Sequence, residues 1–178
     1  PLVTRYFELY DPSLSADLHE NYLRIARLLD EQCCLTAALR YGHGHGMTVY
    51  GHLCMARNYT GYANVFSSKL ALDESLHEVD KAGTRDATRM CYALPAVRNE
   101  RLLIIEEILR MGCDGLCLDF MRQPPMVQYH PAVTEPYTEK TGRDPRKINI
   151  KNEPDAFRDW IRYRADILTG FMEEVRRL

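Results

Sequence analysis

The stretch from Pro95 to Pro125 constrains the fold more than any other part of this sequence. Pro95 lacks the N–H that a first helical turn leaves unpaired anyway, so it suits the start of a helix. Leu102, Ile105, Ile108 and Leu109 then form a wide apolar face, opposite Glu106, Glu107 and Arg110. Gly112 is placed to end the helix in a left-handed turn. Residues 114–120 (DGLCLDF) follow as a short buried strand, and Arg122, Gln123, Pro124 and Pro125 must be loop. Helix, two-residue turn, strand and loop make the αβ half of a βαβ repeat, so the expected class is α/β with parallel strands and flanking helices.

The remaining pattern extends that reading. Behind Ser15, a good N-cap, the spacing of Leu18, Tyr22, Ile25 and Leu29 predicts a helix over 16–31. Residues 35–41 predict another, halted in the glycines Gly42, Gly44 and Gly46, and 47–55 (MTVYGHLCM) reads as a buried strand. Residues 56–86 are a long polar and aromatic excursion, of the kind that is usually functional, and 90–94 could be a short extended piece. A helix is expected over 132–141, ending at Gly142, then a basic link over 143–151. Pro154 opens a long last helix with Phe157, Ile161, Leu168, Met172 and Val175 along one face. At 178 residues, 46% hydrophobic and 27% charged, the chain fits a single domain over 1–178. It is short of the ~250 residues of a complete (β/α)8 barrel.

Composition removes several partners. A net charge of −2 and a pI near 6.3 give no global electrostatic reason to bind nucleic acid or an anionic membrane. No apolar run approaches the ~20 residues of a membrane span, and 1–10 lack the plan of a signal peptide, which leaves localisation open. The six cysteines show no C-x2-C pair and read as reduced, mostly buried thiols. His43 and His45 fall in a glycine turn and His52 alternates along a strand, so no metal is expected, and no cofactor either.

Asp119 stands out because ligand sites of parallel sheets lie beyond the carboxyl ends of the strands. Alternation puts Gly115, Cys117 and Asp119 on one face and Leu116, Leu118 and Phe120 on the other. A carboxylate at that end can act as nucleophile, acid, base or sugar-hydroxyl acceptor, while Asp114 at the other end reads as a turn residue. The run 93–100 (ALPAVRNE), the helix after it and 114–125 (DGLCLDFMRQPP) together resemble a block of bacterial glycosyl-hydrolase-like barrel proteins, the glycoside hydrolase-like 10 type. Residues 41–50 (YGHGHGMTVY), 55–58 (MARN), 135–146 (EPYTEKTGRDPR) and 160–171 are similar to further segments of that family in the same order.

The resemblance implies a (β/α)8 barrel, only partial in this chain, acting on glycosidic bonds of a polysaccharide or glycan with Asp119 as the catalytic carboxylate. Cys117 departs from the related α-amylase pattern, which has arginine there. Arg122, Arg57 and Asn58 are candidates for binding sugar hydroxyls, and Tyr92 and Tyr129 for stacking on a pyranose ring. Arg98 and Arg164 match family positions but read better as internal ion-pair partners. Glycoside hydrolysis needs two carboxyl groups. Glu135 and Glu139 are expected to face solvent, and Asp73, Glu74, Glu78 and Asp80 could reach the site from the excursion. A non-catalytic carbohydrate-binding or structural barrel is the competing expectation, and a hydrolase with Asp119 as a metal ligand a third. A partial barrel also requires self-association or a missing remainder to cover its open edges.

Overall fold

The computed structural model describes residues 30–55, 73–121 and 125–178, with 20, 23, 24, 27 and 28. The described part of 20–31 is helical, while Leu18, Tyr22, Ile25 and Leu29 lie outside the described residues. The described elements run α1 (Cys34–Gly44), β1 (Tyr50–Cys54), β2 (His77–Val79), β3 (Arg85–Met90), α2 (Pro95–Arg110), β4 (Gly115–Asp119), α3 (Pro131–Thr141) and α4 (Pro154–Val175).

The unit around α2 forms as its residues dictate. Pro95 occupies the first turn, and the helix gives way at Gly112, whose φ of +94° is open to glycine at no steric cost. β4 then lies parallel beside β1, pairing Tyr50 with Gly115, His52 with Cys117 and Cys54 with Asp119. Asp114 fixes the entry to this pairing. Its Oδ2 accepts from the Val49 N–H at 2.7 Å and lies 2.8 Å from His43 Nε2, contacts that hold its carboxyl below the usual range. The turn role expected for Asp114 thus has a specific content, the joining of α1 to the start of both strands. α1 itself continues through Gly42 and Gly44, and the left-handed turn comes later, at Gly46 (φ +69°).

The parallel arrangement does not propagate. Among the described residues there are two sheets of two strands each, β1–β4 parallel and β2–β3 antiparallel, with the helices α1–α4 and the helical residues of 20–31. The (β/α)8 barrel, partial or whole, is therefore overturned, and what stands of the expected fold is its mixed α/β character. The physical reason lies in 73–90. A barrel needs each new strand to join its predecessor in parallel, whereas here Asp80 N–H donates to Thr84 O at 2.9 Å and turns the chain back into a hairpin. Of the excursion expected over 56–86, residues 56–72 lie outside the described residues, while 73–86 carry β2 and the start of β3, whose last residue is Met90, where the extended piece was expected to begin.

One face of the β1–β4 pair carries the core. Leu53, Leu116, Leu118 and Phe120 pack against a buried cluster that includes Met55, Tyr92, Ile105, Trp160 and Phe171. Gly51 is where strand and helix approach most closely: a Cβ there would sit 2.7 Å from Ile108 Cγ2 and 3.0 Å from Leu116 Cδ2. Gly51→Ala should accordingly destabilise the fold by about 1–3 kcal/mol in urea unfolding, through overpacking. An unchanged midpoint would show that α2 can shift away from the strand.

α4 packs most of its expected face: Phe157, Leu168, Met172 and Val175 are partly buried against the core cluster, but Ile161 is 44% exposed and the deepest positions are Ala156, Trp160, Arg164 and Phe171. Trp160, fully buried and ringed by Tyr129, Tyr137 and Tyr163, sets the orientation, because an aromatic ring of that size contributes more on burial than the aliphatic residues beside it. The cysteines depart from expectation as well. All six are free, but of them Cys91 alone is buried, and Cys34 and Cys117 are exposed.

Candidate functional site

The other face of the β1–β4 pair presents Tyr50, His52 and Cys117, all exposed, with Asp119 at its carboxyl end. The bulky residues at 116, 118 and 120 pack inward, so 117 and 119 take the opposite face, as alternation predicts, but that face is open here where the barrel reading turned it into a crowded interior. Tyr50, 62% exposed, lies across Gly115, where a Cβ would come within 2.5 Å of the ring. Glycine at 115 is what lets that ring settle on the sheet. Asp119 is held from two sides. Its Oδ1 accepts from the Met121 N–H at 2.9 Å, closing a tight turn as the strand ends, and its Oδ2 stands 3.5 Å from His52 Nε2. The side chain keeps 14% of its surface exposed, against 57% for His52. The arrangement is an oriented carboxylate beside an accessible imidazole.

The structure places the described ones among the other expected site residues elsewhere than on this face. Arg57, Asn58 and Arg122 lie outside the described residues. Tyr92 is 2% exposed, donates its hydroxyl to Met55 O at 2.8 Å and meets Phe120 and Phe171 edge-on. Burial pushes that hydroxyl up to about 12, and the ring belongs to the core. Tyr129 leans on Trp160 with centroids 5.4 Å apart, and its N–H donates to Val79 O. Arg98 is the internal ion-pair partner expected, its Nε 3.1 Å from Glu174 Oε2. Glu135 and Glu139 are exposed on α3, and Asp73 caps the turn at Ser75.

A second group of charged residues went unrecognised as a unit in the sequence. Glu78 on β2 is 2% exposed, and Arg164 on α4 is 8% exposed. Glu78 Oε2 accepts from the Gln128 N–H at 3.0 Å, while Oε1 has no hydrogen-bond partner among the described residues. Burial raises the Glu78 carboxyl above its ordinary range, against the pull of the Gln128 amide and of Arg164. Burial likewise lowers Arg164. The guanidinium donates to Val127 O through Nε and to Met126 O through Nη2 at 3.1 Å, and lies 5.6 Å over the Trp160 ring. Between these holds Val127, fully buried, adopts φ +53°, a conformation that costs a β-branched residue on the order of 1–3 kcal/mol. His130 completes the clamp, donating from Nε2 to Ser75 O at 2.9 Å and accepting the Ala132 N–H at Nδ1. Glu78, Arg164 and His130 thus fasten residues 126–132, downstream of Asp119, to β2 and α4.

The chain matches no protein-family model, and no curated protein or solved structure is significantly similar to it.

Proposed function

We propose that the exposed β1–β4 face binds a glycan and that the protein is glycoside hydrolase-like, with Asp119 as the carboxylate directed at the sugar. The observation that carries this reading is the pairing of an oriented carboxylate at the carboxyl end of a parallel strand with an open aromatic ring on the same face. Sugars are recognised by apolar stacking on aromatic faces combined with hydrogen bonds to hydroxyls, and Tyr50 and Asp119 offer one of each. Four residues of strand separate their rows, about 13 Å at the usual rise. That span exceeds one pyranose ring, so the ligand is an oligosaccharide. Asp119 accepts hydroxyl protons or attacks an anomeric carbon, and His52 supplies a donor beside it.

A second reading, binding without hydrolysis, is favoured by one feature. Asp119 Oδ1 is already committed to the Met121 N–H, which suits a fixed hydroxyl acceptor as well as a nucleophile. One experiment separates the two. Turnover and binding are measured on a panel of oligosaccharides for the wild type, Asp119→Asn and Tyr50→Ala. Hydrolysis predicts that Asp119→Asn loses at least about a hundredfold in turnover while retaining binding. Wild-type binding without turnover, weakened in both variants, selects the second reading. Unchanged behaviour of both variants would remove this face from the function.

A further inference from the structure

We propose that Cys117, His52 and Asp119 act as nucleophile, base and orienting carboxylate, which makes the β1–β4 face a site of covalent modification by soft carbon electrophiles. Three observations meet here. Cys117 is one of two exposed cysteines among the described residues, so a reagent can reach its sulfur. It is the direct cross-strand partner of His52, and adjacent strands lie about 4.8 Å apart with both side chains on the same face. His52 reaches along the sheet toward Asp119, with Nε2 3.5 Å from Oδ2, so its ring spans the row next to Cys117. In the proposed triad the carboxylate favours the tautomer with the proton on Nε2, the nitrogen nearer to it, and leaves Nδ1 to accept one. Cys117 is exposed and stands directly opposite His52, at a cross-strand spacing that rotation about χ1 can span in the proposed step. A thiol, a base and a group orienting the base constitute the general logic of an activated nucleophile.

The step balances without an oxidant. The sulfur attacks the electrophilic carbon, an S–C bond forms, and the thiol proton passes to His52 Nδ1 and then to water. With an alkyl halide the halide leaves with the bonding pair. With an α,β-unsaturated carbonyl nothing leaves, and a proton finally adds at the carbon next to the carbonyl. This inference stands apart from the glycan reading, since its test involves no sugar.

Iodoacetamide is the probe, and the alkylation rate of each cysteine in the folded full chain is followed by peptide mass spectrometry. Cys34, the other exposed thiol, sits at the far end of α1 from its His43–Asp114 contact and serves as the internal reference. Cys117 is expected to react faster than Cys34, and in His52→Gln to slow by about tenfold or more while Cys34 keeps its rate. Asp119→Asn should slow Cys117 by a smaller factor, and it takes over as the deciding variant if circular dichroism shows that His52→Gln is unfolded. A Cys117 rate no faster than that of Cys34, or one unmoved by the deciding variant, would overturn the proposal.

Discussion

Replacing Arg164 by Met should cost about 2–5 kcal/mol of unfolding free energy, the scale of two buried carbonyls each left without a donor. The guanidinium is 8% exposed, satisfies the carbonyls of Met126 and Val127, and is the cation that faces Glu78. Met fills much of the volume and supplies no donor. Two carbonyls then lose their partners, and the left-handed backbone at Val127 loses the contact that holds it. Lys should not restore the loss, since a single ammonium cannot place donors on two successive carbonyls as the planar guanidinium does. Urea unfolding checks this. A loss under about 1 kcal/mol would show that the carbonyls find water or that packing on Trp160 is what matters.

Glu78→Gln is expected to change how stability depends on pH. The carboxyl is raised in the folded protein, chiefly by burial, while in the unfolded chain it titrates near 4.3. The sign follows from linkage. Where the folded state holds the proton more tightly, the stabilisation is complete below the unfolded value and is lost as pH rises through the higher folded value. The wild type should therefore lose stability across this window, and Glu78→Gln, which keeps an acceptor for the Gln128 N–H without a titrating charge, should be flatter. At the alkaline end the variant should be the more stable by about 1–3 kcal/mol, the scale of one buried, unsatisfied polar group. Urea midpoints measured from about pH 4.5 to 9 decide the point. Parallel profiles for the two proteins would show that another group dominates the window. In the double variant with Arg164→Met the two effects should not simply add, because the two residues share one cluster.

Much of this was legible in the sequence, for reasons that can be named. The α2–β4 unit, the ends of α3 and α4 and the setting of Asp119 on the face opposite Leu116 and Leu118 follow from local rules: proline at first turns, glycine at positive φ, alternation along a strand. The barrel expectation failed because a single αβ unit says nothing about whether the next strand adds in parallel. Glu78 was hidden by an irregularity. Alternation would turn the middle residue of a strand away from its neighbours, yet His77, Glu78 and Val79 are all buried. The register slips between His77 and Glu78, from Met90 to Asp86 on the partner strand, and the twist of such a bulge re-aims the side chain. No period-two reading anticipates that. Arg164 did leave a signal, its place four residues after Trp160, but only to a reader who weighs the tryptophan above the aliphatic stripe. His52 drew notice as a metal candidate and not for its neighbour, because the pairing with β4 that brings it to Asp119 is non-local.

The path of residues 127–129 has a further consequence, for solubility. β2 pairs with β3 along one edge, and along the other the Tyr129 N–H donates to Val79 O. An uncovered strand edge is a template for pairing with another molecule. The segment clamped by Glu78 and Arg164 thus acts as a guard rail on the hairpin. Variants that loosen the clamp should aggregate through β2 before they unfold globally, and light scattering should rise ahead of the loss of helical signal.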